Sequence, residues 1–149
     1  MLTPRQKTEY KKNNSAEKRN FTITRTVTSG SPISEPLFRN IKNKVLGKNY
    51  DLSLVIIGDK LSKKINKKYK NREKSASVLG FPISKTEGEI FINLAKAKRQ
   101  SEALKLKTKN FATYLFIHAV LHLKGFSHSS KMESEEKKIL RRFGVKLEY

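Results

Sequence analysis

DLSLVIIGDKLSKKINKKYK, Asp51 to Lys70, changes its period half-way along and so decides the fold. Its first part, DLSLVIIG, is short, β-branched and mostly apolar, which reads as a buried strand. Its second part spaces Leu61, Ile65 and Tyr69 four residues apart, one stripe of a helix that Asp59 is placed to cap. A strand running straight into an amphipathic helix is a unit that packs helix against sheet.

Outward from that unit the same signals repeat. FTITRTVT, from Phe21, alternates apolar residues with threonine and predicts a strand. SGSPISEP is a turn segment, and Leu37, Ile41 and Val45 mark a helix that Gly47 is suited to end. ASVLGFP and GEIFIN predict two more strands around a short turn. Three helices follow, over 95–106, 109–124 and 131–142. The order β-α-β-α-β-β-α-α-α predicts an α+β fold. It is a single domain over 21–149, with a small mixed sheet of about four strands packed by about five helices. Residues 1–20 are polar and without periodicity, and are expected to form a flexible basic tail.

Composition narrows the partners. Lys and Arg number 33 against 13 Asp and Glu, a formal net charge of +20. Such a surface attracts phosphates and points to nucleic acid. Cysteine is absent, which rules out thiolate metal sites and suits a reducing, cytoplasmic setting. The longest apolar stretch, Phe111 to Leu123, is shorter than the roughly 20 residues of a membrane span. The first residues lack the apolar region of a secretory signal. Membrane partners are therefore not expected.

All three histidines lie within HAVLHLKGFSH, His118 to His128. On a helix His118 and His122 share a face one turn apart. Gly125 can take the left-handed conformation that ends a helix, which turns the chain back and brings His128 to the same point. A single histidine there reads more simply as a cap or a half-buried ring. The complete spacing H-x3-H-x5-H reads as three ligands for one divalent ion, zinc in first place, with nickel and others open. Three protein ligands leave a coordination position open for chemistry. Metzincin-like metallopeptidases share this spacing but need a glutamate after the first histidine as base. Ala119 stands there and cannot move a proton.

The motif without glutamate, in this order of elements, resembles the YbeY family of endoribonucleases, bacterial rRNA maturation factors. The family's H-G-x-L-H-L-x-G-Y-D-H compares with H-A-V-L-H-L-K-G-F-S-H. Its N-x-x-Y-R followed by P-T-D-V-L-S-F-P compares with the segment Asn66 to Pro82, and its G-D-I-x-I-x with GEIFIN from Gly88. The resemblance covers roughly residues 21–143, and the tail before it shows no clear counterpart. It implies a metal-dependent endoribonuclease specific for single-stranded RNA, acting in 3′ end maturation of small-subunit rRNA and in ribosome quality control. The small ribosomal subunit and its proteins are the implied partners. His118, His122 and His128 match the metal ligands.

The family's phosphate-holding arginine falls on Lys70, which keeps the charge but loses the planar fork. Ser127 replaces an aspartate beside the third ligand and orients it more weakly. Ser77, Gly80 and Ala119 also depart from the family pattern. Lys63, Lys67, Arg72 and Lys74 are the expected RNA-binding cations, within basic runs at 60–74 and 96–109 that would track the phosphate backbone. Tyr69 and Phe81 are expected in the core. The alternative to an active nuclease is a basic ribosome-assembly factor that binds RNA without cutting it.

Overall fold

A computed structural model describes residues 20–27, 33–72 and 74–147. Among them are four strands and five helices. In chain order these are β1 (Phe21–Arg25), α1 (Glu35–Val45), β2 (Asp51–Ile57), α2 (Asp59–Lys70), β3 (Val78–Ser84), β4 (Glu87–Asn93), α3 (Leu94–Ala103), α4 (Thr108–Lys124) and α5 (Ser130–Arg142). The α+β fold, with its small mixed sheet, is the one the sequence predicts. The basic tail expected over 1–20 lies almost wholly outside the described residues, as does part of the turn segment before α1.

The sheet order is β1-β2-β4-β3. β1 and β4 run parallel to β2, and β3 runs antiparallel to β4 along the edge. Because successive strand residues point to opposite faces, the central strands need two covers. Leu52, Leu54, Ile56, Ile90 and Ile92 pack with Phe38 and Ile41 of α1, Phe116, Ile117 and Val120 of α4, and Met132 of α5. Val55, Ile57, Leu79 and Phe91 pack on the other face with Ile65 of α2. Burying each such side chain contributes about 1.5–3 kcal/mol.

Local chemistry sets the element ends. The Ser34 hydroxyl accepts the Leu37 amide at 3.4 Å to start α1, with Pro36 in its first turn. Gly47, at φ +93°, follows its end in a conformation that costs glycine least. Asp59 is not the cap of α2. Gly58 is, and Asp59 is the first helical residue. Its carboxylate accepts two bonds from the Arg99 guanidinium, at 2.7 and 2.9 Å, and one from the Asn93 amide at 2.8 Å. Arg99 is the main reason that Asp59 titrates low, at about 2, with Asn93 adding to it.

Tyr69 departs from the expected core, whereas Phe81 packs against it. Tyr69 is 44% exposed and meets Phe81 edge-on at 5.4 Å, while Phe81 is half-buried against Phe91. The last turn of α2 lies by the edge strand β3, and among the described residues no further strand lies beyond it to cover Tyr69.

Candidate metal centre

α4 is the helix both faces of this centre depend on. Its stripe of Phe116, Ala119 and Val120 is buried, and that fixes which way the neighbouring His118 and His122 project. Ala119 lies over Gly80 of β3, at 3.9 Å from where a Cβ would stand. It is buried there, so the position that serves metallopeptidases as a base holds only a packing methyl. α4 ends at Gly125, φ +117°, whose amide bonds the Leu121 and His122 carbonyls. That left-handed cap turns the chain, and His128 comes back to the other two rings.

The three imidazoles converge. One ring nitrogen from each of His118, His122 and His128 lies within 4.8 Å of the others. His118 and His122 are half-buried and His128 is exposed, which leaves the cluster open on one side. The Nδ1–H of His118 donates to Glu136 Oε1 of α5 at 3.1 Å, and that of His122 donates to the Phe126 carbonyl at 2.9 Å. Both partners are acceptors, so both Nδ1 atoms carry the proton and both Nε2 atoms present lone pairs. Those Nε2 atoms face each other at 3.1 Å. Two lone pairs at that range repel unless a cation lies between them. Two ligands of a tetrahedral zinc would stand about 3.3 Å apart. The donor set therefore fits a divalent ion. Burial pushes His122 below the usual imidazole range, the charges of His118 and His128 add to that, and the Phe126 carbonyl and Glu136 oppose it. A neutral ring is the form that binds metal.

Glu136 is the residue that sequence reasoning missed. It is 6% exposed and shares the inward stripe of α5 with Met132, Ile139 and Leu140. A carboxylate in a row of apolar residues was the available signal, since a buried charge requires a partner. Ser127, expected to orient the third ligand, is exposed, and its carbonyl accepts the Ser129 hydroxyl at 3.1 Å. The acceptors bonded to Nδ1 of His118 and His122 are Glu136 and the Phe126 carbonyl.

Lys70, at the end of α2, is exposed. Its ammonium lies 5.2 Å from the centre of the Phe81 ring. Phe81 packs with the α2 cluster, whereas its neighbour Gly80 faces α4. Lys63, Lys67, Arg72 and Lys74 are all exposed. Lys63 and Lys74 line one concavity, and Arg72 joins Lys74 in the next.

With this geometry in place, similarity to known proteins becomes specific. The family model of Endoribonuclease YbeY matches residues 11–144. The chain belongs to the YbeY family. The match begins ten residues ahead of the start expected at residue 21, inside the basic tail. An Endoribonuclease YbeY of Clostridium botulinum is 32% identical over 135 residues, covering 73% of this chain and 80% of that protein. The YbeY of Caldicellulosiruptor bescii is 28% identical over 128 residues, covering 74% and 79%. A solution structure from Thermotoga maritima shares the fold, with TM-score 0.57 at 19% identity over 82% of this chain and 89% of that one.

Proposed function

We propose that this YbeY-family chain is a metal-dependent endoribonuclease that cuts single-stranded RNA. Its place of action would be the cytoplasm, on the small ribosomal subunit, in 3′ end maturation of its rRNA and in ribosome quality control. Residues 21–149 form the catalytic unit in this reading, with 1–20 as a basic extension. No helix among the described residues is long and apolar enough to cross a membrane. The observation that carries the reading is the set of three imidazoles within 4.8 Å, two of them tethered at Nδ1.

His118, His122 and His128 would hold the ion. Zinc is proposed because tethered imidazoles without thiolates suit it, as they suit nickel. Such an ion supplies Lewis acidity at a phosphoryl oxygen and makes water more acidic. Glu136 keeps the His118 ring in its ligating tautomer and offsets part of the positive charge gathered there. The Phe126 carbonyl does the same for His122, from the chain's own reversal. Lys70 would offset charge on the phosphate.

Metal content and a nuclease assay test this together. Protein purified without added metal should carry about one ion per chain, and His122→Ala should lose it. Cleavage of unstructured RNA should stop with chelator and return with metal. Metal bound without any cleavage would sink the enzymatic reading. The placement of Lys70 over Phe81 favours one second reading, a basic assembly factor that holds rRNA without cutting it. That factor would keep its RNA affinity under chelator and show no cleavage in any condition.

A further inference from the structure

β2 and β4 are adjacent and parallel, yet they send their helices to different layers. α2 packs beneath Val55, Ile57 and Phe91, while α3 packs through Ala97 against Phe111 and Leu115 of α4. Where neighbouring strands diverge in this way, a crevice opens outside their carboxyl ends. Two adjoining concavities of 630 and 640 Å³ lie there, and both are lined by Lys74, Ser75 and Lys96. Lys60, Lys63 and Arg99 line one of them and Arg72 the other. Among the described lining residues the only carboxylate is Asp59, already held by Arg99 and Asn93. Lys96 donates to the Ser75 carbonyl at 2.5 Å, which fixes its ammonium between the two hollows.

The crevice reaches the edge strand β3. Val78 lines it, and Gly80, two residues along β3, carries Ala119, the neighbour of His118. Two strand residues span about 7 Å, so the crevice ends close to where β3 meets α4.

We propose that this crevice is a second RNA-binding site, an anchor for backbone phosphates away from the bond that is cut. The inference rests on the RNA reading above, while the site itself involves none of the triad or its tethers. Anchored phosphates fix the register of the strand without reading its bases. Substrates long enough to reach the crevice therefore gain affinity over short ones.

Binding of a labelled, unstructured RNA is measured by fluorescence anisotropy in chelator, so that no cleavage occurs. Lys63→Gln with Lys74→Gln should weaken binding about tenfold and reduce the salt slope by about 1.4, two single-strand phosphate contacts. The control pair Lys44→Gln with Lys85→Gln, exposed residues on α1 and the β3–β4 turn, removes the same charge elsewhere. Equal weakening by both pairs overturns the anchor and leaves the nuclease reading intact. A selective loss at the crevice in a protein that never cleaves RNA supports the anchor and removes the nuclease.

Discussion

Lys42 is a lysine with no surface exposure, in the helix α1 that covers the sheet. Its ammonium donates to the Lys48 carbonyl at 3.1 Å and, at longer range, to Asn43 Oδ1 at 3.4 Å. Burial first, with Arg39 adding to it and Asp51 opposing both, lowers its pKa from 10.5 to about 8. At pH 7 the folded state therefore carries a charge it holds poorly. Between about pH 8 and 10.5 the unfolded chain keeps this proton while the folded chain has released it. Stability contributed by this group thus rises with pH across that window and is lost again as pH falls through 8. The gap is about 2.5 pKa units, which corresponds to about 3 kcal/mol.

Lys42→Met removes the titration and keeps most of the volume. Urea unfolding of both proteins from pH 7 to 10.5 isolates the effect, because every other lysine is common to the pair. The wild type should gain about 3 kcal/mol on the variant over that range. Parallel stability curves would show that Lys42 is solvated in the folded state, and the reasoning would fail.

Three further outcomes are expected. Gly88→Ala places a methyl against the Tyr50 hydroxyl and 3.0 Å from Leu123 of α4. It should destabilise by about 1–3 kcal/mol, read as a lower midpoint in thermal unfolding. Glu136→Gln keeps the shape but removes the carboxylate from His118, and should weaken metal binding about 10–100-fold in a competition titration; unchanged affinity would remove its orienting role. Lys70→Ala should slow cleavage of single-stranded RNA with binding largely kept, and Lys70→Arg should keep or raise it. If both variants match the wild type, Lys70 takes no part in the chemistry.

The elements were legible because burial writes itself into spacing. Leu52, Leu54 and Ile56 face one cover while Val55 and Ile57 face the other, so the apolar run announces a strand with two packed faces. His118 and His122 were legible for the same reason, since one helical turn and a glycine suffice to relate them. What stayed hidden depends on contacts between distant segments. Glu136 meets His118 across 18 residues of sequence, and only the docking of α5 on α4 pairs them. Tyr69 continues the stripe of Leu61 and Ile65, but helical period cannot tell where the sheet beneath runs out. Lys70 follows Tyr69 to that same margin, where its ammonium meets the Phe81 ring.

α5 serves two masters. Met132, Ile139 and Leu140 seal the main core, and between them Glu136 steadies a ligating ring. Whatever loosens that helix also frees the ring, so the ion affinity proposed for the centre and the docking of α5 would form one thermodynamic cycle. With an ion held there as proposed, emptying the centre would leave α5 less firmly seated, and loading it would clamp the helix down.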